Sequence, residues 1–309
     1  MKNMIETFSA LGARLLGFGD DDATRAVIDS ACRANGWFTP ADIRRAVRAI
    51  ACDMLQREKL EAWLADYPAL PVAEPRRVLV VMAGNIPLVG FFDLLCVLVS
   101  GHGCLVKPSA KDSVLMEHVV GLLREIDPSA PVRLYDGTSP VDAVIATGSD
   151  NANRYFRAHY AGIPSLLRGS RQSVAVLSGR ETPEQLAGLA DDIWAYSGLG
   201  CRSVSLIFAP EGYEPALQIP PVNDKYINNY RQQRALLEMQ GRPFVDLGCA
   251  VAVEQCAFPA ALSRIAYAHY ATLDEVVAWL AGHDGELQCV VTGCLPHSRR
   301  AGFGCAQSP

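Results

Sequence analysis

The spacing of apolar residues changes character along this chain. Over residues 1–70 they recur at helical intervals. In "TPADIRRAVRAIACDMLQREKLEAWLADY" Thr39 can cap a helix, and Pro40 takes the first helical position, where a missing N–H costs nothing. The opening "MKNMIETFSALGARLLGFGDDD" reads as an amphipathic helix with no signal cleavage site after it, so the expected compartment is the cytoplasm. "PALPVAEPRR" (68–77) then breaks the pattern and marks a boundary.

Beyond it, short unbroken apolar runs alternate with helical stretches. "VLVVM" (78–82) is followed by "LVGFFDLLCVLVSG", "CLVKP", a helix over 111–126 and "VRLY". "AVIAT" (143–147), a helix opening at Ser149, and "SVAVLSG" come next. Unbroken runs of strand length are what a parallel sheet covered on both faces requires. A second passage begins near 180, with helix "TPEQLAGLADDIWAYSG", strand "SVSLIFAP", a helix around 224–240 and strands near 249–253 and 262–267. Helix "TLDEVVAWLAG" and strand "LQCVVTG" complete it. The alternation predicts an α/β protein, with a mostly parallel sheet covered by helices followed by a second α/β unit.

Composition narrows the function. A net charge of −5 over 309 residues argues against a broad nucleic-acid surface. No apolar run approaches the length of a membrane span. None of the ten cysteines forms a C-x-x-C pair, so neither a zinc site nor a redox dithiol is expected. Most sit inside apolar runs and read as small buried hydrophobes. Cys201, in "AYSGLGCRSVS", sits instead among glycines and small polar residues. Its own surroundings leave two readings, core filler or nucleophile.

In open α/β sheets ligands bind beyond the carboxyl ends of the strands. Three strands here end in turns suited to that. "VLVVM" runs into "AGNIP" (83–87), "CLVKP" into "SAKDS", and "AVIAT" into "GSDNANRYF". Gly148 would let a ligand approach the backbone, and Ser149 stands where a helix N-terminus offers free N–H groups to a phosphate. The G-x-G-x-x-G fingerprint is missing, since "GLGCRS" departs at its last position.

The order "AGNIP", "VKPSAKDS", "ATGSDNANRYF", "SGLGCRS" resembles the aldehyde dehydrogenase superfamily. Within it the chain is most similar to the acyl-CoA reductase family that supplies fatty aldehyde in bacterial bioluminescence. "AGNIPLVGFFDLLCVLVSGH", "KYINNYRQQRAL" and "FGCAQSP" carry that likeness, which runs from about residue 35 to the end. The resemblance implies an N-terminal helical segment (1–70), a Rossmann-type cofactor domain (71–178), an α/β catalytic domain (179–293) and a tail (294–309) returning to the cofactor domain. It implies reduction of an acyl-CoA to the aldehyde, with NADPH or NADH as hydride donor and Cys201 as the acyl-carrying nucleophile. The Asn85 amide and the Cys201 N–H would serve the oxyanion. Lys107, with Ser109 beside it, would hold the adenosine ribose, and Gly148 and Ser149 would lie near the pyrophosphate. A homo-oligomer or an acyl-transfer partner protein is also implied.

Two departures shape that expectation. Family members that release free acid carry a glutamate as base for water. The matching stretch "SLLRGSRQS" has Leu167 there, which disfavours hydrolysis and suits exchange with a thiol such as CoA. A second family glutamate, which holds the nicotinamide ribose, would fall at 258–260, where the chain reads "FPA". That absence motivates an alternative, a non-catalytic acyl-binding or protein-association member. A third reading is reduction of an acyl phosphate. Where NAD-selective relatives often place a glutamate three residues after the lysine, this chain has Ala110 followed by Lys111, so NADPH is expected to serve at least as well as NADH.

Overall fold

The computed structural model describes residues 2–67 and 69–308. The chain divides into two compact units, one ending at Gly169 and the other beginning at Ser170.

Four helices open the first unit: α1 (Lys2–Leu16), α2 (Asp22–Ala34), α3 (Pro40–Ala49) and α4 (Arg57–Ala65). Thr39 caps α3 as its sequence predicts, its hydroxyl accepting the Asp42 N–H at 3.1 Å. The helical stretch that follows Thr39 is interrupted by a π-helical turn at Ile50–Met54. Helical spacing of the apolar residues persists across the break, which hides it in the sequence. The turn places Leu55 against Gly12, where a Cβ would come within 2.8 Å of the Leu55 Cβ.

The first sheet comprises β1 (Arg77–Val81), β2 (Gly103–Lys107), β3 (Val132–Leu134), β4 (Ala143–Thr147) and β5 (Ser165–Arg168). Helix α5 (Phe91–Val99) links β1 to β2, α6 (Ser113–Ile126) links β2 to β3, and α7 (Asp150–His159) links β4 to β5. The spatial order is β3-β2-β1-β4-β5, with every pair parallel. The chain therefore reverses its direction of travel across the sheet at β1 and β4, the switch point where α/β proteins open a ligand crevice.

Alternate residues of β1 enter different cores. Val78 and Val80 pack with Phe8, Leu11, Ile28 and Leu94, whereas Leu79 and Val81 pack with Leu105, Val144 and Tyr160. Burial on both faces explains the unbroken "VLVV", each such side chain contributing about 1.5–3 kcal/mol. The N-terminal helices share the first of these cores and build none of their own. The missed strand, β5, lies at the sheet edge and is mostly exposed, so its residues carry no buried-strand signature.

The second unit contains β6 (Gln172–Val176), α8 (Pro183–Trp194), β7 (Val204–Pro210), α9 (Asp224–Met239), β8 (Val245–Asp246) and β9 (Val251–Glu254). It continues with β10 (Arg264–Tyr270), α10 (Leu273–Gly282), β11 (Leu287–Thr292) and β12 (Arg300–Ala301). Its sheet runs β12-β11-β6-β7-β10-β9-β8, parallel except for the β8–β9 pair. A capping box at Thr182 and Gln185, with Pro183 at the first helical position, starts α8.

Two boundaries differ from expectation. The division falls near 169, not at 178, because β6 pairs with β7 and β11. A fully buried parallel strand reads the same in either sheet. The tail, expected to return to the cofactor domain, is built into the second unit, where β12 pairs with β11 and residues beyond it bond to α8. Among the described residues no helix is long and apolar enough to cross a membrane, and no cluster of His, Cys, Asp or Glu is placed to hold a metal.

Candidate active site

The strands of the first sheet end level. Val81 of β1 is in register with Lys107 of β2 and with Ala146 of β4. Five of the six residues singled out in the sequence therefore sit at one carboxyl edge: Asn85, Lys107, Ser109, Gly148 and Ser149. The sixth, Cys201, belongs to the second unit.

The loop carrying Asn85 is fixed at several points. The Met82 N–H donates to the Lys107 carbonyl at 3.0 Å, and the Asn35 amide donates to the Gly84 carbonyl at 3.3 Å. Gly84 lies so close to the β2–α6 turn that a Cβ would come within 2.6 Å of the Ser109 Cβ. Leu88 adopts φ 55° and donates its N–H to Asp112 Oδ2 at 2.8 Å. Asp112 is 2% exposed, and its second oxygen has no partner among the described residues. Burial raises this carboxyl to about 8, against the smaller opposing effect of the Leu88 N–H. Asp112, which the motif order does not single out, clamps the Asn85 loop to the turn after Lys107. A carboxylate between two site-forming turns was the available signal.

Lys107 is exposed at the end of β2. Ser109 is half-buried and accepts the Lys111 N–H at 3.3 Å. Ser149 caps α7, its hydroxyl accepting the Ala152 N–H at 3.3 Å. A Cβ on Gly148 would come within 3.0 Å of the Ala152 Cβ, a tight approach to the first turn of α7. Arg168 is paired with the buried Asp93 at 2.5 Å. His102 Nδ1 accepts the Arg76 N–H at 3.0 Å, a structural role in the turn before β1.

Cys201 follows a strained approach. Helix α8 ends at Trp194, and Tyr196 (φ 53°), Ser197 (φ 55°) and Gly198 (φ 64°) then take left-handed conformations. Two non-glycine residues in that region cost about 1–3 kcal/mol each. The Gly200–Ser203 turn follows, closed by the Ser203 N–H to the Gly200 carbonyl at 3.0 Å, with Cys201 and Arg202 at its centre. The fully buried Ser173 donates its hydroxyl to the Cys201 carbonyl at 2.9 Å. On the other side Arg202 donates Nε–H to the Ala306 carbonyl.

The Cys201 residue is exposed, unlike Cys104, Cys249 and Cys289, which are buried filler. Protein packed around its sulfur raises the thiol above the ordinary value. The guanidinium of Arg202, the residue's own N–H and the guanidinium of Arg171 pull the other way. Burial is the larger effect, so the thiol stays above its ordinary value, and Arg202 and Arg171 offset part of that rise.

The positions of the two missing family glutamates are occupied structurally. Leu167 joins the core beneath Val144 and Tyr160. Phe258 packs on Trp279 with ring centroids 5.5 Å apart. The polar stretch "DKYINNYRQQRALLEM", part of which carries the family likeness, buries Tyr226, Tyr230, Gln233 and Leu237 as α9, and Tyr230 donates to Asp246 at 2.7 Å.

Comparison with known proteins bears on the family and the fold. A family model described as acyl-CoA reductase (LuxC) matches residues 33–218, a span containing all six candidate residues. A long-chain acyl-protein thioester reductase of Vibrio harveyi is 28% identical over 174 residues, 50% of this chain and 36% of that protein. Long-chain acyl-protein thioester reductase 2 of Photobacterium leiognathi is 24% identical over 175 residues, 50% of this chain and 37% of its own. These matches span little more than a third of the relatives' length. Among solved structures, an acetylating aldehyde dehydrogenase from Geobacillus thermoglucosidasius superposes with TM-score 0.66 at 11% identity, covering 99% of this chain and 83% of that one. A betaine aldehyde dehydrogenase from Staphylococcus aureus in complex with NAD+ gives TM-score 0.66 at 14% identity, covering 94% and 72%. The fold is that of the aldehyde dehydrogenases.

Proposed function

Because the chain belongs to the LuxC acyl-CoA reductase family, we propose that it reduces a long-chain acyl thioester to the aldehyde, with Cys201 as the nucleophile and a reduced nicotinamide dinucleotide as hydride donor. The observation that carries this reading is the exposed Cys201 at the centre of a turn that Ser173 holds at the Cys201 carbonyl and the Ala306 carbonyl holds at Arg202.

The Cys201 thiolate adds to the acyl carbonyl and expels the donor's thiolate, which takes up a proton. The acyl group is then a thioester of Cys201. The Asn85 amide and the Cys201 N–H are assigned to the oxyanion of that addition. A bound NAD(P)H supplies the hydride that converts the acyl carbon to an aldehyde and frees the Cys201 thiolate. Leu167, where acid-releasing relatives carry a base, leaves water unactivated and the thioester intact until reduction.

Support for a dinucleotide comes from the level ends of β1, β2 and β4 at the switch point, with exposed Lys107 on one side and the N-terminus of α7 on the other. Lys107 and Ser109 are assigned to the adenosine ribose, and Gly148 with the first turn of α7 to the pyrophosphate. Ala110 and Lys111 leave nothing to repel a 2′-phosphate, which favours acceptance of NADPH. The donor is a thioester in either case, on CoA as the family description states or on a protein as the names of the relatives state. CoA esters and NADPH place the reaction in the cytoplasm.

Phe258, packed on Trp279 where a nicotinamide-ribose glutamate would stand, favours the second reading of a non-catalytic acyl-binding member. Turnover decides between them. Purified protein supplied with NADPH and a long-chain acyl-CoA, or an acylated carrier protein, should form aldehyde and oxidise NADPH in equal amounts. No aldehyde from either donor would establish the non-catalytic reading.

A further inference from the structure

Asp192 lies in the last turn of α8 and is fully buried. A buried carboxylate is costly unless its oxygens are taken up. Here both grip the C-terminal segment: Oδ2 accepts the Gly304 N–H at 2.7 Å and Oδ1 accepts the Ala306 N–H at 2.8 Å. The approach depends on two glycines. A Cβ on Gly188 of α8 would come within 2.8 Å of the Gly304 nitrogen, and Gly304 itself has φ 77°. The segment is thus strapped backbone to backbone against α8.

What the strap holds in turn is the turn of the candidate nucleophile. Its Ala306 carbonyl accepts Nε–H of Arg202, and its Gln307 amide donates to Ser203 Oγ at 3.3 Å. Arg202 and Ser203 are the two residues after Cys201. Ser173 holds the Cys201 carbonyl from the sheet side at 2.9 Å.

We propose that Asp192 is a positioning residue for Cys201, acting through the strap at 304–306 to hold the Arg202 guanidinium beside the thiol; this rests on the reading of Cys201 as nucleophile. The groups acting on that thiol are Arg202 on its own turn and Arg171 before β6, and Cys289 of β11 couples to it. Asp192 bears on Cys289, which it raises. Neutralising Asp192 would therefore leave Cys201 unchanged or lower its pKa if charge alone mattered. Releasing Arg202 would raise it. The two explanations predict opposite signs.

The test is the pH profile of Cys201 alkylation by iodoacetamide in the whole protein, read by peptide mass, with the exposed Cys256 as internal reference. Asp192→Asn keeps the shape but sets an amide N–H against a strap N–H. It should shift the Cys201 profile to higher pH and slow alkylation near neutrality about three- to tenfold, the effect of losing roughly half to one pKa unit of cationic stabilisation, while Cys256 is unchanged. A folded Asp192→Asn protein with an unshifted or lowered Cys201 profile overturns the proposal. If that variant does not fold, Arg202→Lys carries the test. It keeps the charge but loses the planar Nε–H held by Ala306, so a raised profile supports the strap and an unshifted one overturns it. Acylation of the parent by a long-chain acyl-CoA, read in parallel, separates the failures: no adduct on Cys201 overturns the proposed function, and an unshifted alkylation profile overturns the strap.

Discussion

Replacing Asp112 with asparagine should make the protein more stable at alkaline pH and leave its stability nearly unchanged in acid. In the fold, burial raises this carboxyl from 3.8 to about 8. The unfolded chain has lost its proton above the ordinary aspartate value, whereas the folded chain keeps it to about 8, so the native state binds more protons in between. Stability therefore falls as pH rises from about 4 to about 8. The difference between 3.8 and about 8, at about 1.4 kcal/mol per unit, sets a ceiling near ~6 kcal/mol. Of this, the part lost between pH 5 and about 8 is about 4 kcal/mol. Asparagine retains a carbonyl to accept the Leu88 N–H and never ionises. Urea unfolding of parent and Asp112→Asn across pH 5 to 8.5 reads the effect. The variant's advantage should grow with pH by about 4 kcal/mol. A difference that is constant with pH, or that shrinks as pH rises, would refute the reasoning, because Asp112 would then be ionised in the fold or the Leu88 contact would dominate.

Other expectations address the site directly. Cys201→Ala should abolish aldehyde formation, while Cys289→Ala and Cys96→Ala should lower the unfolding midpoint and leave acylation of Cys201 in place, read by thermal melts and peptide mass. Asn85→Ala should fold and lose about two to three orders of magnitude in kcat, the usual cost of one oxyanion donor; a loss under threefold would make it a turn residue only. NADPH should match or exceed NADH in kcat/KM, with the advantage falling at higher salt and in Lys111→Ala; a strong preference for NADH would contradict the reading of Ala110 and Lys111.

The fold was legible where burial is two-sided. "VLVVM" and "SVSLIFAP" are unbroken because both faces of β1 and β7 are covered, and each falls within a residue or two of its strand. Periodicity could not say which sheet a buried strand joins, so β6 was expected in the first unit. Nor could it reveal β5, whose edge position leaves its side chains in solvent. At the site, the turns after β1, β2 and β4 were legible because loops at a switch point must be made of small and polar residues. Asp112 and Asp192 escaped notice for a shared reason. Each sits within a helical or turn pattern, and its role depends on backbone N–H groups distant in sequence, Leu88 for one and Gly304 and Ala306 for the other.

The central claim is that Cys201 carries the acyl group. The most direct measurement is peptide mass spectrometry after the protein is incubated with a long-chain acyl-CoA and no reductant. The account predicts one acyl group on the peptide containing Cys201, lost when NADPH is added and missing from Cys201→Ala. Acylation at another cysteine while Cys201 stays unmodified would contradict it.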